Sequence, residues 1–280
     1  MISKKLNTYF FITIFFILNL LSMLIIHYEF SVIYNIIFSI LLGIFYVGVL
    51  ELVHQCTHNN AFDRKVENIY WGVFFSSLIH FNFKKYKNFH MDHHIYVCTT
   101  KDPENELYTN EINPIIQILL APIFFYKFCY VVMKYKRNNI SENEKHHSNI
   151  FIYIYIIIMM LSLYFNYKYF LYLYCIPFLI FTYIDFLFNQ AEHYGYDQVP
   201  ITDKDRIIYA NNIELPFIFS WVFLFRNYHQ LHHRYPKIKW YNSYEFYIHN
   251  FSKLPCCSTK SYFEFLKEFI MNGVRIVKAK

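Results

Sequence analysis

Glycine is scarce in this chain, with five in 280 residues, at positions 43, 48, 72, 195 and 273. Neither the G-x-G-x-x-G turn of dinucleotide-binding folds nor a P-loop can be written from them, so the chain brings no nucleotide cofactor of its own. Six cysteines (56, 98, 129, 175, 256, 257) make no C-x-x-C pair. That removes iron–sulfur runs and leaves them as small apolar fillers or free thiols rather than a disulfide frame. Charged residues are only 16% of the total, and no linker rich in Pro, Gly or Ser interrupts the chain. One domain, 1–280, is therefore expected. The net charge of +6 gathers in "KKYK", "KYKR" and the tail. Such clusters can bind nucleic acid, but beside apolar runs they fit cytoplasmic loops obeying the positive-inside rule, and no nucleic-acid partner is expected.

Apolar residues are what the chain has in abundance: 56% hydrophobic and 22% aromatic. Heavy use of Ile, Asn, Lys, Phe and Tyr also follows from AT-rich coding, so distribution is more telling than composition. Two runs, 9–26 and 32–50, open the sequence, and each approaches the roughly 20 residues a bilayer requires. The first has Lys4 and Lys5 before it and no small-residue cleavage site after it, so it is expected to be retained as a membrane helix rather than removed as a signal peptide. A second pair, 150–165 and 169–188, is separated by "NYK" and is expected to form a helical hairpin.

The segment 114–133 is apolar but carries Pro114, Pro122 and Lys127. Placing Lys4 and Lys5 inside makes the first helix exit and the second return, so His54 onward starts on the cytoplasmic side. If 114–133 crossed the bilayer, "KYKRNN" would lie outside, against the charge rule. An interfacial or re-entrant 114–133 keeps every histidine cluster on one face. The expected fold is an all-α polytopic membrane protein with about four transmembrane helices and a cytoplasmic helical cap. The run 69–83, too short to span, is expected as a cap helix, and 251–280 as a cytoplasmic helix.

Fourteen histidines are present, and most are clustered. His54 and His58 stand four apart in "HQCTH". His90, His93 and His94 in "HMDHH" stand at i, i+3 and i+4, and His229, His232 and His233 in "HQLHH" repeat that spacing. On helices each cluster aims its rings to one side. His27, His80 and His249 lack ligand spacing and are expected as hydrogen-bonded core residues, and His146 and His147 as solvated loop residues. Burying eight clustered imidazoles without a common partner is costly, and a metal ion is the natural partner for converging neutral rings. Eight nitrogens exceed the four of one zinc site, so two ions are implied, with Zn, Cu, Fe and Ni all open. A soluble di-iron arrangement built on Glu-x-x-His pairs is disfavoured, because of Glu51-x-x-His54 and Glu144-x-x-His147 the second lies in a polar loop. Glu51, one turn before His54, is expected to support that ring instead.

The stretches "HQCTHNNAF", "FHMDHHIYVCTTKDPE" and "NYHQLHHRYPKIKWYN" resemble the three histidine boxes of the integral-membrane fatty acid desaturase superfamily, from about Leu50 to Trp240. That superfamily also holds hydroxylases and ketolases. "NQAEHYG" is similar to its Asn-x-x-x-His element, and its "EHYG" to the matching stretch of membrane alkane hydroxylases. The resemblance implies Asn189 and His193 as further ligands beside His54, His58, His90, His93, His94, His229, His232 and His233. It also brings forward Asp92, Asp102, Glu104 and Glu192 as carboxylates supporting the rings, a plain turn at Asp102–Pro103 being the alternative there.

The resemblance further implies two iron ions, O2 as co-substrate and removal of hydrogen from an unactivated methylene of a fatty acyl lipid. Desaturation, hydroxylation and carotenoid ketolation all remain open on that basis. A separate electron donor of the ferredoxin or cytochrome b5 type is expected, since nothing in the chain carries electrons. A membrane metal transporter would place ligands near the bilayer midplane, whereas these histidines flank the apolar runs. A structural scaffold would have no use for the boxes.

Overall fold

The computed structural model describes residues 6–105, 112–135, 142–254 and 256–273. Lys4, Lys5, most of "KYKRNN" and residues 274–280 lie outside the described residues, as do the side chains of 142–148, including Glu144, His146 and His147. The chain divides into two compact units, Met1–Lys84 with Asn138–Ile184, and Lys85–Arg137 with Asp185–Lys280.

The first unit is built on long apolar helices. α1 (Leu6–His27) and α2 (Val32–Thr57) pack as an antiparallel pair. The chain turns between them at Glu29, whose φ is +52°. Phe11 stacks on Phe45 at 5.6 Å, and Phe15 meets Tyr46 and Phe75 edge-on at 5.6 and 6.0 Å. The outward sides of both helices expose Phe10, Phe16, Ile17, Leu20, Ile33 and Ile37. A helix apolar all round suits a lipid surface or a deep core, and these faces are not covered by protein.

α3 (Lys65–Leu78) lies along α2, and α4 (Phe83–Tyr96) follows it. The single helix expected over 69–83 is therefore two elements. The break sits at His80, whose φ of +67° takes the chain out of helical conformation. Gly72 permits the close return, because a Cβ there would lie 2.4 Å from the Phe83 ring.

α7 (Glu142–Phe165) and α8 (Tyr167–Glu192) form the second apolar pair, α5 and α6 being placed below. α8 contains one π-helical turn at Leu171–Cys175. The Ser39 hydroxyl of α2 donates to the Tyr172 carbonyl there at 2.7 Å, satisfying a backbone group that the turn displaces. Gly43 allows α2 to approach α8 closely, since a Cβ would stand 2.7 Å from Ile180. Among the described residues three helices are long and apolar enough to cross a membrane: Asn7–His27, Val32–Thr57 and Tyr167–Glu192. They coincide with three of the four expected runs. The apolar part of the fourth, Asn149–Phe165, is shorter than these. The chain is thus a helical membrane protein.

The second unit carries α4 from Lys85 and the end of α8, with α5 (Pro114–Leu119), α6 (Ala121–Lys134), α9 (Phe217–Val222), α10 (His229–Arg234), α11 (Trp240–His249) and α12 (Tyr262–Asn272). The segment 114–133 is two helices, each started by a proline in its first turn, and neither reaches span length. Asn113 caps α5 by accepting from the Ile115 amide at 2.9 Å. The expected helix over 251–280 is instead a short turn (Phe251–Lys253), a strand and α12, with Pro255 standing in the sequence where a helix interior would not accept it. The strand β2 (Thr259–Ser261) pairs in parallel with β1 (Asn212–Glu214), Asn212 opposite Thr259. In the same unit the buried rings of Phe188 and Phe223 meet at 5.2 Å, and Phe265 lies against both Tyr194 and Phe269.

His27 and His249 are exposed in the last turns of α1 and α11, rather than core residues. The helix C-terminus favours a basic side chain at that place without burial. His80 alone of the three is partly buried, its ring between those of Tyr155 and Phe178 at 5.7 and 5.2 Å.

Candidate metal centre

The two HxxHH boxes are helical, as their spacing predicts: "HMDHH" closes α4, and "HQLHH" forms α10. His193 follows directly on the end of α8. In the second unit the rings gather into two groups. His93, His193, His229 and His233 have ligand nitrogens within 4.8 Å of one another and are all buried. His90, His94 and His232 form a second group within the same distance. In each box the i, i+4 pair goes to one group and the i+3 member to the other. The assignment is crossed, since His90 and His94 join His232, while His229 and His233 join His93. In the first unit, His54 on the last turn of α2 and His58 just after it stand with ring centres 5.1 Å apart.

The ring nitrogens facing inward are Nε2 throughout the buried group. His229 Nε2 lies 3.1 Å from that of His193 and 2.9 Å from that of His233, and His233 Nε2 lies 3.3 Å from that of His93. In the other group His94 Nε2 is 3.0 Å from both His90 Nε2 and His232 Nε2.

The opposite nitrogens settle two tautomers. His193 Nδ1 is 2.9 Å from the Tyr209 carbonyl, which can only accept, so Nδ1 carries the proton and Nε2 a lone pair. His93 Nδ1 donates to Asp102 Oδ1 at 2.9 Å, so the neutral form of that ring also turns an Nε2 lone pair inward. Lone pairs converging at such distances repel unless a cation lies among them. A metal–imidazole bond of roughly 2.1 Å places neighbouring donors about 3.0–3.4 Å apart, which is the spacing found. The donor set fits a metal ion with imidazole ligands.

Carboxylates stand behind the rings. Asp102 also accepts from the amides of Cys98 and Glu104 at 3.1 and 2.9 Å, so the Asp102–Pro103 turn and the support of His93 are one structure. Glu104 lies 3.7 Å from His93 Nδ1 and 3.8 Å from His90 Nδ1, and Glu192 lies 3.6 Å from His229 Nδ1. Glu51 meets His54 Nδ1 at 2.9 Å and accepts from Gln55 at 2.7 Å. Asp92 differs from the other four, because it takes the Tyr135 hydroxyl at 2.5 Å.

Burial pulls the His93 imidazole down, and the Asp102 and Glu104 carboxylates outweigh it, leaving it raised to about 9. Burial, with His93 nearby, lowers His193 to about 4, and burial among four imidazoles puts His233 well below its usual range. The low values keep those rings neutral and available as ligands.

Several supporting residues have no sequence signature that the histidine spacing exposes. Asn211 donates to the carbonyls of Ala191 and Tyr194 at 3.0 and 2.9 Å, on either side of His193. Asn212 donates to Gln230 at 3.1 Å and accepts from the Leu231 amide at 3.2 Å, inside the last box. Asn189 has both ends of its amide engaged: it donates to Asp185 at 2.9 Å and accepts from Arg226 at 2.7 Å. A lone arginine in the apolar "FLFRNYH" was the available sign that a buried charge pair lay there.

No curated protein matches the chain. The family model described as fatty acid desaturase matches residues 31–251, which hold every helix and histidine placed above except α1, α12 and the N- and C-terminal ends. That match covers well over half of the sequence, and the chain belongs to the fatty acid desaturase family.

Proposed function

We propose that the protein is an O2-dependent di-iron desaturase that introduces a double bond into a fatty acyl lipid. The observation that carries it is the crossed division of two HxxHH boxes into two nitrogen groups, in a chain of this family. The nine ligands are His54, His58, His90, His93, His94, His193, His229, His232 and His233. His93, His193, His229 and His233 hold one ion, and His90, His94 and His232 belong to the other. Asn189, one helical turn before His193, joins them as a further ligand, directly or through water.

Bound iron supplies O2 activation and the abstraction of hydrogen from an unactivated methylene. The protein's residues do the rest. Asp102, Tyr209, Glu192 and Glu51 fix the ring orientations. Burial of the four-histidine group excludes water from the chemistry. The four apolar runs 9–26, 32–50, 150–165 and 169–188 span the membrane, with 114–133 at its interface, and the catalytic face is cytoplasmic. Acyl chains reach the site from the bilayer, and electrons come from a separate ferredoxin or cytochrome b5-like donor.

Hydroxylation is the second reading, favoured by the likeness of "EHYG" (Glu192–Gly195) to membrane alkane hydroxylases. Expression in a host of defined lipid composition distinguishes the two: new double bonds support desaturation, new hydroxyls support hydroxylation, and product formed without O2 refutes both. Metal analysis of the purified chain should give two irons, with His233→Ala losing metal and His249→Ala keeping it.

A further inference from the structure

Arg226 is buried (8% exposed), and its guanidinium is fully committed. Nη1 donates to Asp185 Oδ1 at 2.6 Å and Nε to Glu192 Oε1 at 2.7 Å. Nη2 donates to Asn189 Oδ1 at 2.7 Å and to Glu192 Oε2 at 3.3 Å. Asp185 Oδ2 closes the ring by accepting from Asn189 Nδ2 at 2.9 Å. Asp185, Asn189 and Glu192 sit at i, i+4 and i+7, one face of the end of α8, and His193 is the next residue. Arg226 itself is three residues before His229. The cluster therefore ties the two chain segments that deliver His193 and His229.

The backbone makes an unusual effort to place this side chain. Leu224 and Phe225 both adopt left-handed conformations, with φ of +50° and +57°. Such conformations are unfavourable for bulky residues and persist where the surroundings hold them. They immediately precede Arg226, and the Phe188 ring lies 5.7 Å from the guanidinium carbon.

We propose that Arg226 is a positioning residue of the four-histidine group. It holds Glu192 against His229 Nδ1 and fixes the orientation of the Asn189 amide by donating to its oxygen. This rests on the metal-centre reading above. A guanidinium fork is suited to the task because it meets two carboxylates and an amide oxygen in one plane, which an ammonium cannot.

The test uses the purified full chain with cobalt(II) as the probe, reading metals bound per chain, affinity by chelator competition, and the cobalt absorption spectrum. Arg226→Met should weaken one of the bound ions by roughly 10–100-fold and change its spectrum, as loss of ring support does elsewhere. Arg226→Lys should bind more tightly than the Met variant but keep an altered spectrum, because charge returns without the fork.

Parent-like affinity and spectrum in Arg226→Met overturn the proposal. Should the Met variant not fold, a parent-like spectrum in the Lys variant overturns it equally. A parent chain that takes up no cobalt would instead sink the metal-centre reading on which this rests.

Discussion

Asp102→Asn isolates what a carboxylate behind a ligand ring contributes. Asp102 makes three contacts: Oδ1 with His93 Nδ1 and the Glu104 amide, each at 2.9 Å, and Oδ2 with the Cys98 amide at 3.1 Å. All three partners are donors, and an asparagine offers one oxygen and one donating NH2. If its oxygen stays on His93, its NH2 faces the Cys98 N–H. If it flips, its NH2 faces His93 Nδ1, which must give up its proton and carry it on Nε2, where the metal would bind. The first arrangement trades a charge-assisted hydrogen bond of about 1.5–3 kcal/mol for a neutral one near 1, and adds an unpaired buried donor. The second removes a ligand. Either way the metal held by His93 should bind 10–100-fold more weakly, about 1.4–2.7 kcal/mol. Chelator competition on the loaded chain measures this, with circular dichroism to confirm that the helices remain. An affinity within twofold of the parent would show that His93 draws no orientation from Asp102.

The crossed grouping makes a prediction about pairs. His93→Ala with His233→Ala strips one group and should leave one metal per chain, whereas His93→Ala with His232→Ala weakens both and should leave none; equal stoichiometry in the two variants contradicts the grouping. Burial lowers His80 from 6.5 to about 4, so between these values the unfolded chain takes up the proton more readily and stability falls as pH drops through that window. His80→Asn, which suits the φ of +67°, should remove up to about 3 kcal/mol of that pH dependence, seen as parallel melts at pH 7 and 4.5. Gly72→Ala drives a methyl to 2.4 Å from the buried Phe83 ring and should lower stability by about 1–3 kcal/mol despite alanine's better helix propensity, so an unchanged melting temperature would mean that α3 and α4 can separate freely.

The clustering of the rings was legible because their spacing is a helical property: i, i+3 and i+4 fall on one side whatever the tertiary fold. What the spacing does not carry is which ring joins which group, since that depends on how α4 and α10 approach. His193 lacks any spaced partner and was found by resemblance alone. The Tyr209 carbonyl that fixes its tautomer leaves no trace in side-chain chemistry, because any residue there presents the same backbone oxygen. Asn211 and Asn212 were equally hidden, since adjacent asparagines in "NNIELP" ordinarily mark a turn. Apolar runs gave three helices of spanning length. In the fourth, the polar stretch before Asn149 belongs to the same helix as the apolar part, so helix length and apolar length part company there.

The repetition of HxxHH follows from the same geometry. On one helix, the i and i+4 side chains are about 40° apart, while i+3 is turned about 60° from one and 100° from the other. One box therefore supplies a close pair in one direction and a single ring in another. A single box would leave its odd ring without a pair to join. Two boxes crossing solve this, because the odd ring of each completes the pair of the other: His93 with His229 and His233, His232 with His90 and His94. Each nitrogen group then has three imidazoles from only two helices, and neither helix can shift without disturbing both groups. The buried group gains its fourth ring from His193, held by Tyr209 and bracketed by Asn211. A third point of attachment at the end of α8 thus locks the two boxes to a long apolar helix.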